Sequence, residues 1–200
     1  MSFDYDRFLI DQLVRPIVNL YRVTPLAAGE TPAGPPVAFV RQKRMAIRED
    51  IRFFADESEQ QELFRIKARS VLDTGGSRYD VLAADGAPIG RLDHLFKQSL
   101  LRSTWRILDA GEQEIAVARE KSQFLAIARR IVDFVPNGEW VPIPYNFLLA
   151  SGERELGHLT RKFLSVRDRY VLDLAGDPDR RVDRRLAIAL GIALDALQNR

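Results

Sequence analysis

The chain contains no cysteine, only two histidines, two methionines and two tryptophans. Without cysteine, disulfides, thiolate nucleophiles, cysteine-ligated metals and S-acylation are excluded. His94 and His158 stand far apart, so no His-x-x-x-His pair exists to seat zinc. A lone histidine in either place reads as a surface or hairpin residue before it reads as catalytic. Also missing are a Gly-x-Ser-x-Gly elbow and a phosphate loop ending in Gly-Lys-Ser or Gly-Lys-Thr. Gly86-Ala-Pro-Ile-Gly90 is a turn between strands, because no helix follows it. No apolar run reaches the roughly 20 residues that a membrane-spanning helix needs. Excess charge is scarce as well: 30 Lys and Arg against 28 Asp and Glu leave +2, although the calculated pI is near 9.0. Binding to any polyanion must therefore come from local clusters. Carboxylates are plentiful but fall in no acid–base motif. No catalytic residue, cofactor or metal is expected. Met1 to Asp6 is acidic and lacks an apolar run, so no secretory signal is visible and a cytoplasmic protein, at most peripheral to a membrane, is the expectation.

What is present is a hydrophobic content of 46%, enough for a sizeable single core. Its most concentrated piece is Leu186-Ala-Ile-Ala-Leu-Gly-Ile-Ala-Leu194, nine residues with no polar side chain. A helix over 183–198 would be apolar on every side and must be enclosed by protein. Nearly everything before it reads as short strands. Phe64-Arg-Ile-Lys-Ala-Arg69 alternates apolar and basic residues, the period of a half-buried strand. Tyr79–Ala83, Ser103–Leu108 and Glu114–Ala118 are rich in β formers. Gly75-Gly76, Asp85-Gly86, Ala110-Gly111, Asn137-Gly138 and Ser151-Gly152 supply the turns of antiparallel hairpins. Two further helices are expected from apolar spacing: one within Phe3–Val18, ended near Pro16, and an amphipathic one over Ser122–Phe134. Gly29–Pro36 reads as a Pro/Gly linker, which places the domain at 37–200 after an N-terminal extension of 1–36.

An internal repeat connects these pieces. Tyr79-Asp-Val-Leu-Ala-Ala-Asp-Gly86 matches Tyr145-Asn-Phe-Leu-Leu-Ala-Ser-Gly152. Each is followed by Gly-x-Leu (Gly90, Gly157), a phenylalanine (Phe96, Phe163) and an aromatic strand ending in Leu-Asp (Trp105–Asp109, Tyr170–Asp173). Repeated multi-strand units suit a closed sheet, which leaves no open edges. The fold expected is a mainly β, closed antiparallel barrel with a hydrophobic C-terminal helix as its plug. Tyr79, Trp105, Phe163 and Tyr170 would line its core.

These features resemble the Tubby C-terminal-like superfamily over about Val37–Leu197, most closely the phospholipid scramblases and the plant LURP-one-related proteins. The resemblance implies about twelve strands around the helix, and a bacterial-type member without assigned activity. It also implies binding of phosphoinositide-like headgroups through surface Lys and Arg. Scramblases carry a proposed calcium segment before the last helix. Here Asp173-Leu-Ala-Gly-Asp177-Pro-Asp179-Arg-Arg-Val-Asp183 has the carboxylates, but Pro178, Arg180 and Arg181 interrupt any regular ligand pattern, so calcium should bind weakly or not at all.

Two cationic groups are candidates for an anionic partner. Arg65, Lys67 and Arg69 share one strand face, Arg41 and Lys43 another; side by side they would suit a lipid headgroup or, less well, a nucleic-acid backbone. The competing reading is a solvated outer wall. Arg180, Arg181, Arg184 and Arg185 gather where the last helix begins, against its dipole; with free helix N–H groups they would hold an anion, unless Asp177, Asp179 and Asp183 neutralise them. A non-enzymatic anion-binding module is the main reading. The alternative is a small-molecule-binding protein or enzyme with a pocket at the barrel mouth.

Overall fold

The computed structural model describes residues 3–13, 18–43, 50–69, 77–95, 103–121, 146–162 and 169–198. Twelve strands form one closed antiparallel barrel. They are β1 (Arg7–Leu13), β2 (Val18–Pro25), β3 (Ala38–Lys43), β4 (Asp50–Phe54), β5 (Glu62–Ala68) and β6 (Ser77–Ala83), then β7 (Pro88–His94), β8 (Thr104–Asp109), β9 (Glu114–Glu120), β10 (Asn146–Ser151), β11 (Arg154–Arg161) and β12 (Arg169–Asp173). Each strand pairs with its neighbour in sequence, and β1 closes the ring against β12. One helix, α1 (Arg184–Gln198), follows.

The walls form because alternate residues are apolar. Phe64 and Ile66 of β5 are fully buried, Arg65 is half-buried and Lys67 is exposed. The same alternation puts Phe8 and Ile10, Tyr21 and Val23, Phe53 and Ile51, and Phe147 and Leu149 inside. From Leu186 to Leu194 every residue of α1 is buried. Fifteen residues at 1.5 Å rise make a rod of about 22 Å that fills the barrel. Burying Leu186, Ile188, Leu190, Ile192 and Leu194 is worth about 2 kcal/mol each, far more than a helix gains from propensity alone. The register slips by one residue between β4 and β5, β6 and β7, β8 and β9, and β10 and β11. Such bulges bend strands and help a sheet close.

The repeat has a structural meaning. Its copies fall on β6–β8 and β10–β12, four strands apart in the ring. Gly90 and Gly157 mark places where strands crowd: a Cβ on Gly157 would lie 2.1 Å from the Asp173 carbonyl oxygen, and one on Gly90 would lie 2.4 Å from that of Leu108. Tyr79, Trp105 and Tyr170 are buried, as core aromatics should be. Phe96, Phe163, Tyr145, Gly75-Gly76, Asn137-Gly138 and the helix expected over Ser122–Phe134 lie outside the described residues.

The N-terminus departs from expectation. No helix forms within 7–13: that stretch is β1, and Val18–Pro25 is β2. Phe8, Leu9 and Leu13 satisfied a helical spacing, but Phe8 and Ile10 also satisfy a strand period, and only the strand fills the gap between β12 and β2. Nor is 26–37 a free linker. Leu26 N–H donates to the Arg7 carbonyl, Ala33 N–H to that of Pro25 and Val37 N–H to that of Val23, at 2.8–2.9 Å, so the segment is a folded turn on the barrel. The barrel thus begins at Arg7, not near Val37.

A chain of residues 37–200 alone should therefore fail to fold. Without β1 and β2, the edges of β3 and β12 are left unpaired and the buried side chains Phe8, Ile10, Tyr21 and Val23 are lost. Circular dichroism is expected to show no cooperative melt; a melt like that of the full chain would mean that ten strands close by themselves.

Candidate functional site

The final helix begins inside a dense electrostatic knot. Asp183 is its N-cap: one carboxylate oxygen accepts from Arg185 N–H at 2.8 Å. The same carboxylate pairs with the Arg185 guanidinium at 2.6 Å. That hydrogen bond is the main reason the guanidinium holds its proton more tightly than usual. Asp177 is completely buried and accepts from the N–H groups of Arg181 and Val182, each at 3.0 Å. Arg184, 3% exposed, donates to Asp177 Oδ2 at 2.8 Å, to the Asp177 carbonyl at 2.9 Å and to Asp6 Oδ1 at 2.6 Å. The pair is therefore part of the fold: Arg184 lies on the wall of the mouth groove but is nearly covered, its guanidinium held by carboxylates. A cation entering the barrel needs a buried counter-charge, and Asp177 supplies it. Arg180 takes left-handed backbone (φ 52) and bonds the carbonyls of Phe3 and Asp4. It also pairs with Asp4 at 3.5 Å and Asp6 at 3.7 Å.

Arg181 differs from its neighbours. It is exposed, and its side chain makes no ion pair among the described residues. It borders a groove of about 780 Å³ with Phe3, Leu63 and Val182 as its apolar wall and Arg180, Arg185, Asp4 and Asp183 as its charged one. Cation and apolar surface thus meet at the barrel mouth where α1 starts.

The outer-wall cations are arranged otherwise. Arg41 on β3 and Arg65 on β5 are not neighbours: β4 lies between them and contributes Arg52, which faces both in register. Acids thread this row. Arg41 pairs with Glu59 at 2.6 Å, Arg52 with Asp50 at 2.9 Å, and Arg65 with Glu62 at 3.4 Å. Arg69 pairs with Asp80 at 2.8 Å and Glu112 at 3.2 Å. Hydrogen bonds from Arg91 and then Arg69 hold the Glu112 carboxyl below its usual range. Lys67 is exposed and makes no ion pair among the described residues. Lys43 ends β3; its side chain lies outside the described residues. The wall is a lattice of opposite charges, each exposed pair worth at most about 1 kcal/mol.

The carboxylates of the calcium-like segment all face cations or N–H groups. Asp173 pairs with Arg7 at 2.9 Å, Asp179 with Arg154 at 3.0 Å, Asp177 with Arg184 and Asp183 with Arg185. Among the described residues no group of three or more His, Asp or Glu is placed to hold a metal. His94 and His158 lie on β7 and β11, four strands apart. His94 is half-buried at the end of β7, where it pairs across to β8. Its ring stacks on Trp105 at 4.6 Å, Ser103 Oγ is 3.4 Å from Nε2, and burial lowers its pKa from 6.5 to about 4.

One buried cluster was not foreseen. Asp195, near the end of α1, accepts hydrogen bonds from Tyr21 Oη at 2.6 Å and from Tyr170 Oη. Gln42 donates to the Ala196 carbonyl at 3.5 Å and accepts from Asn19 at 2.8 Å. The only sequence signal was a single acid closing an apolar run. The cluster holds the far end of α1, as Asp177 and Arg184 hold the near end.

Taken together, the fold and site define a closed β-barrel with a helical plug and an amphipathic groove at one mouth. A family model described as LURP-one-related matches residues 37–195, and the chain belongs to that family. No curated protein and no solved structure matches it. The match starts where β3 is about to begin, so β1 and β2 complete a barrel whose other ten strands carry the family pattern. No helix among the described residues is long and apolar enough to cross a membrane.

Replacing Arg184 by Leu should cost about 3–5 kcal/mol, because Asp177 would remain buried without its cation. Arg181→Leu should leave stability within about 0.5 kcal/mol. Urea unfolding of the two variants checks the contrast; equal midpoints would show that Arg184 is not the anchor. Stability should also depend on pH through His94. Its folded pKa lies below its unfolded one, so the unfolded chain binds the extra proton. Stability is full above about pH 6.5 and falls as the pH drops toward 4, by at most ~1.4 kcal/mol per unit. His94→Gln should flatten that slope between pH 7 and 5 in urea titrations.

Proposed function

We propose that this LURP-one-related protein is a non-catalytic binding module that engages anionic lipid headgroups at the mouth where α1 begins. One observation carries the reading: Arg181, exposed and without an ion pair among the described residues, rims a groove of about 780 Å³ in which four arginines outnumber the carboxylates Asp4 and Asp183 beside an apolar strip. A guanidinium binds phosphate bidentately, and Phe3, Leu63 and Val182 offer apolar contact beside it. Arg180 and Arg185 add local positive potential although carboxylates hold them. The Tubby-like and scramblase resemblance favours the same ligand class. A location at the inner membrane surface, in the cytoplasm and without a span, follows from this reading. The outer-wall row is the weaker site, since acids accompany its arginines pair by pair. The alternative of a small soluble ligand or substrate draws on the same groove.

The test is co-sedimentation with vesicles of phosphatidylcholine containing phosphatidylserine, at low and high salt. Binding should weaken steeply with salt. Arg181→Glu changes the local charge by two, and at about 1 kcal/mol per charge near the membrane it should weaken binding roughly 25-fold. Lys67→Glu should change it little. The opposite pattern would move the site to the outer wall, and no binding at low salt would refute the reading.

A further inference from the structure

A second groove of about 300 Å³ adjoins the first. Tyr5, Pro25, Pro35, Pro36 and Leu63 line it, so Leu63 is a wall common to both. The chain segment Phe3–Tyr5 runs along the two, with Phe3 on the first and Tyr5 on the second. Phe3 is anchored edge-on against Phe64 at 5.9 Å. Tyr5 is 37% exposed and is the one exposed large hydrophobic side chain among the described residues. An otherwise well-covered surface thus keeps its large apolar side chain in the wall of the second groove. At one end of this path stand four arginines with two carboxylates, Asp4 and Asp183, paired to Arg180 and Arg185, and at the other end stands apolar surface. No charged residue lines the second groove, whose walls hold only Tyr, Pro, Gly, Val, Ala and Leu.

From this polarity we infer that the ligand of the mouth is a single-chain anionic amphiphile. Its phosphate or carboxylate meets Arg181, and its hydrocarbon chain lies past Leu63 along Tyr5 and the Pro35-Pro36 turn. A headgroup alone would leave the second groove unused, and a purely apolar ligand would leave Arg181 unmet. The inference rests on the headgroup reading above and narrows it to an individual chain held by the protein, in place of adsorption to a charged surface. The two grooves divide the roles that ligand sites generally combine: charged side chains line the first, where an orientation can be fixed, and apolar ones line the second.

Calorimetric titration of the full chain with octyl, decyl and dodecyl phosphate, each below its micelle concentration, tests this. Affinity should rise about fourfold for every added methylene. Tyr5→Ser, a surface change that should leave the melting temperature in place, is expected to flatten that rise. A Leu63→Gln variant that keeps the wild-type melt should flatten it further. Arg181→Glu should weaken all three ligands by a similar factor and leave the slope intact. If vesicles bind but the alkyl phosphates bind equally at all lengths, the chain site is wrong and the headgroup reading survives. If neither vesicles nor alkyl phosphates bind, the headgroup reading fails and the chain site with it.

Discussion

A helix with no polar face can persist only inside a closed wall, and this constraint organises the whole molecule. Leu186 to Leu194 offers nothing to water, so the sheet must surround it on all sides. An open sheet would leave part of the helix wet and two edges unpaired. Twelve strands in unbroken antiparallel sequence meet both demands, because the last pairs with the first. The two ends of the helix then need polar partners inside the wall. Asp177 and Arg184 serve at its start, and Asp195 with Tyr21 and Tyr170 at its end. Such buried polar contacts add little net stability compared with apolar replacements, but leaving one unpaired is costly. They set the axial position of a rod that apolar packing alone would allow to slide.

The same constraint explains how charge is distributed. Among the described residues α1 occupies the interior, with Leu186 to Leu194 all buried, so the charged side chains lie on the outer wall and at the mouths. On the outer wall, cross-strand neighbours place Arg41, Arg52 and Arg65 in line, and like charges so close are tolerated because Glu59, Asp50 and Glu62 stand among them. At the mouth, the anchoring of α1 consumes Arg184 and occupies Arg180 and Arg185, leaving Arg181 outward. An available cation here is what remains after the fold has taken the counter-charges it requires.

The N-terminal strands show how far a local pattern can mislead. In Phe8-Leu-Ile-Asp-Gln-Leu13 three of the four apolar residues fit one helical face, while Phe8 and Ile10 fit a strand. Local sequence does not separate these, since short apolar runs satisfy both periods. The vacancy between β12 and β2 decides the matter, and a helix cannot supply the ladder of N–H and C=O groups that both edges need.

From sequence alone, the alternation in Phe64–Arg69 determined which side chains face the core. The turn pairs determined hairpins, the glycine-aromatic repeat pointed to a closed sheet, and the apolar run determined a buried helix. These are local properties: each follows from the residues of one segment and the periods of strand and helix. Tertiary structure alone decided which cations stay available. Asp6 and Arg184 are 178 residues apart, and Tyr21 and Asp195 are 174 apart. Arg52 separates Arg41 from Arg65 only because β4 lies between β3 and β5. Whether a charge is solvated, paired or buried depends on what distant strands bring beside it. Coulomb attraction and desolvation act through space, so periodicity along the chain cannot encode their outcome.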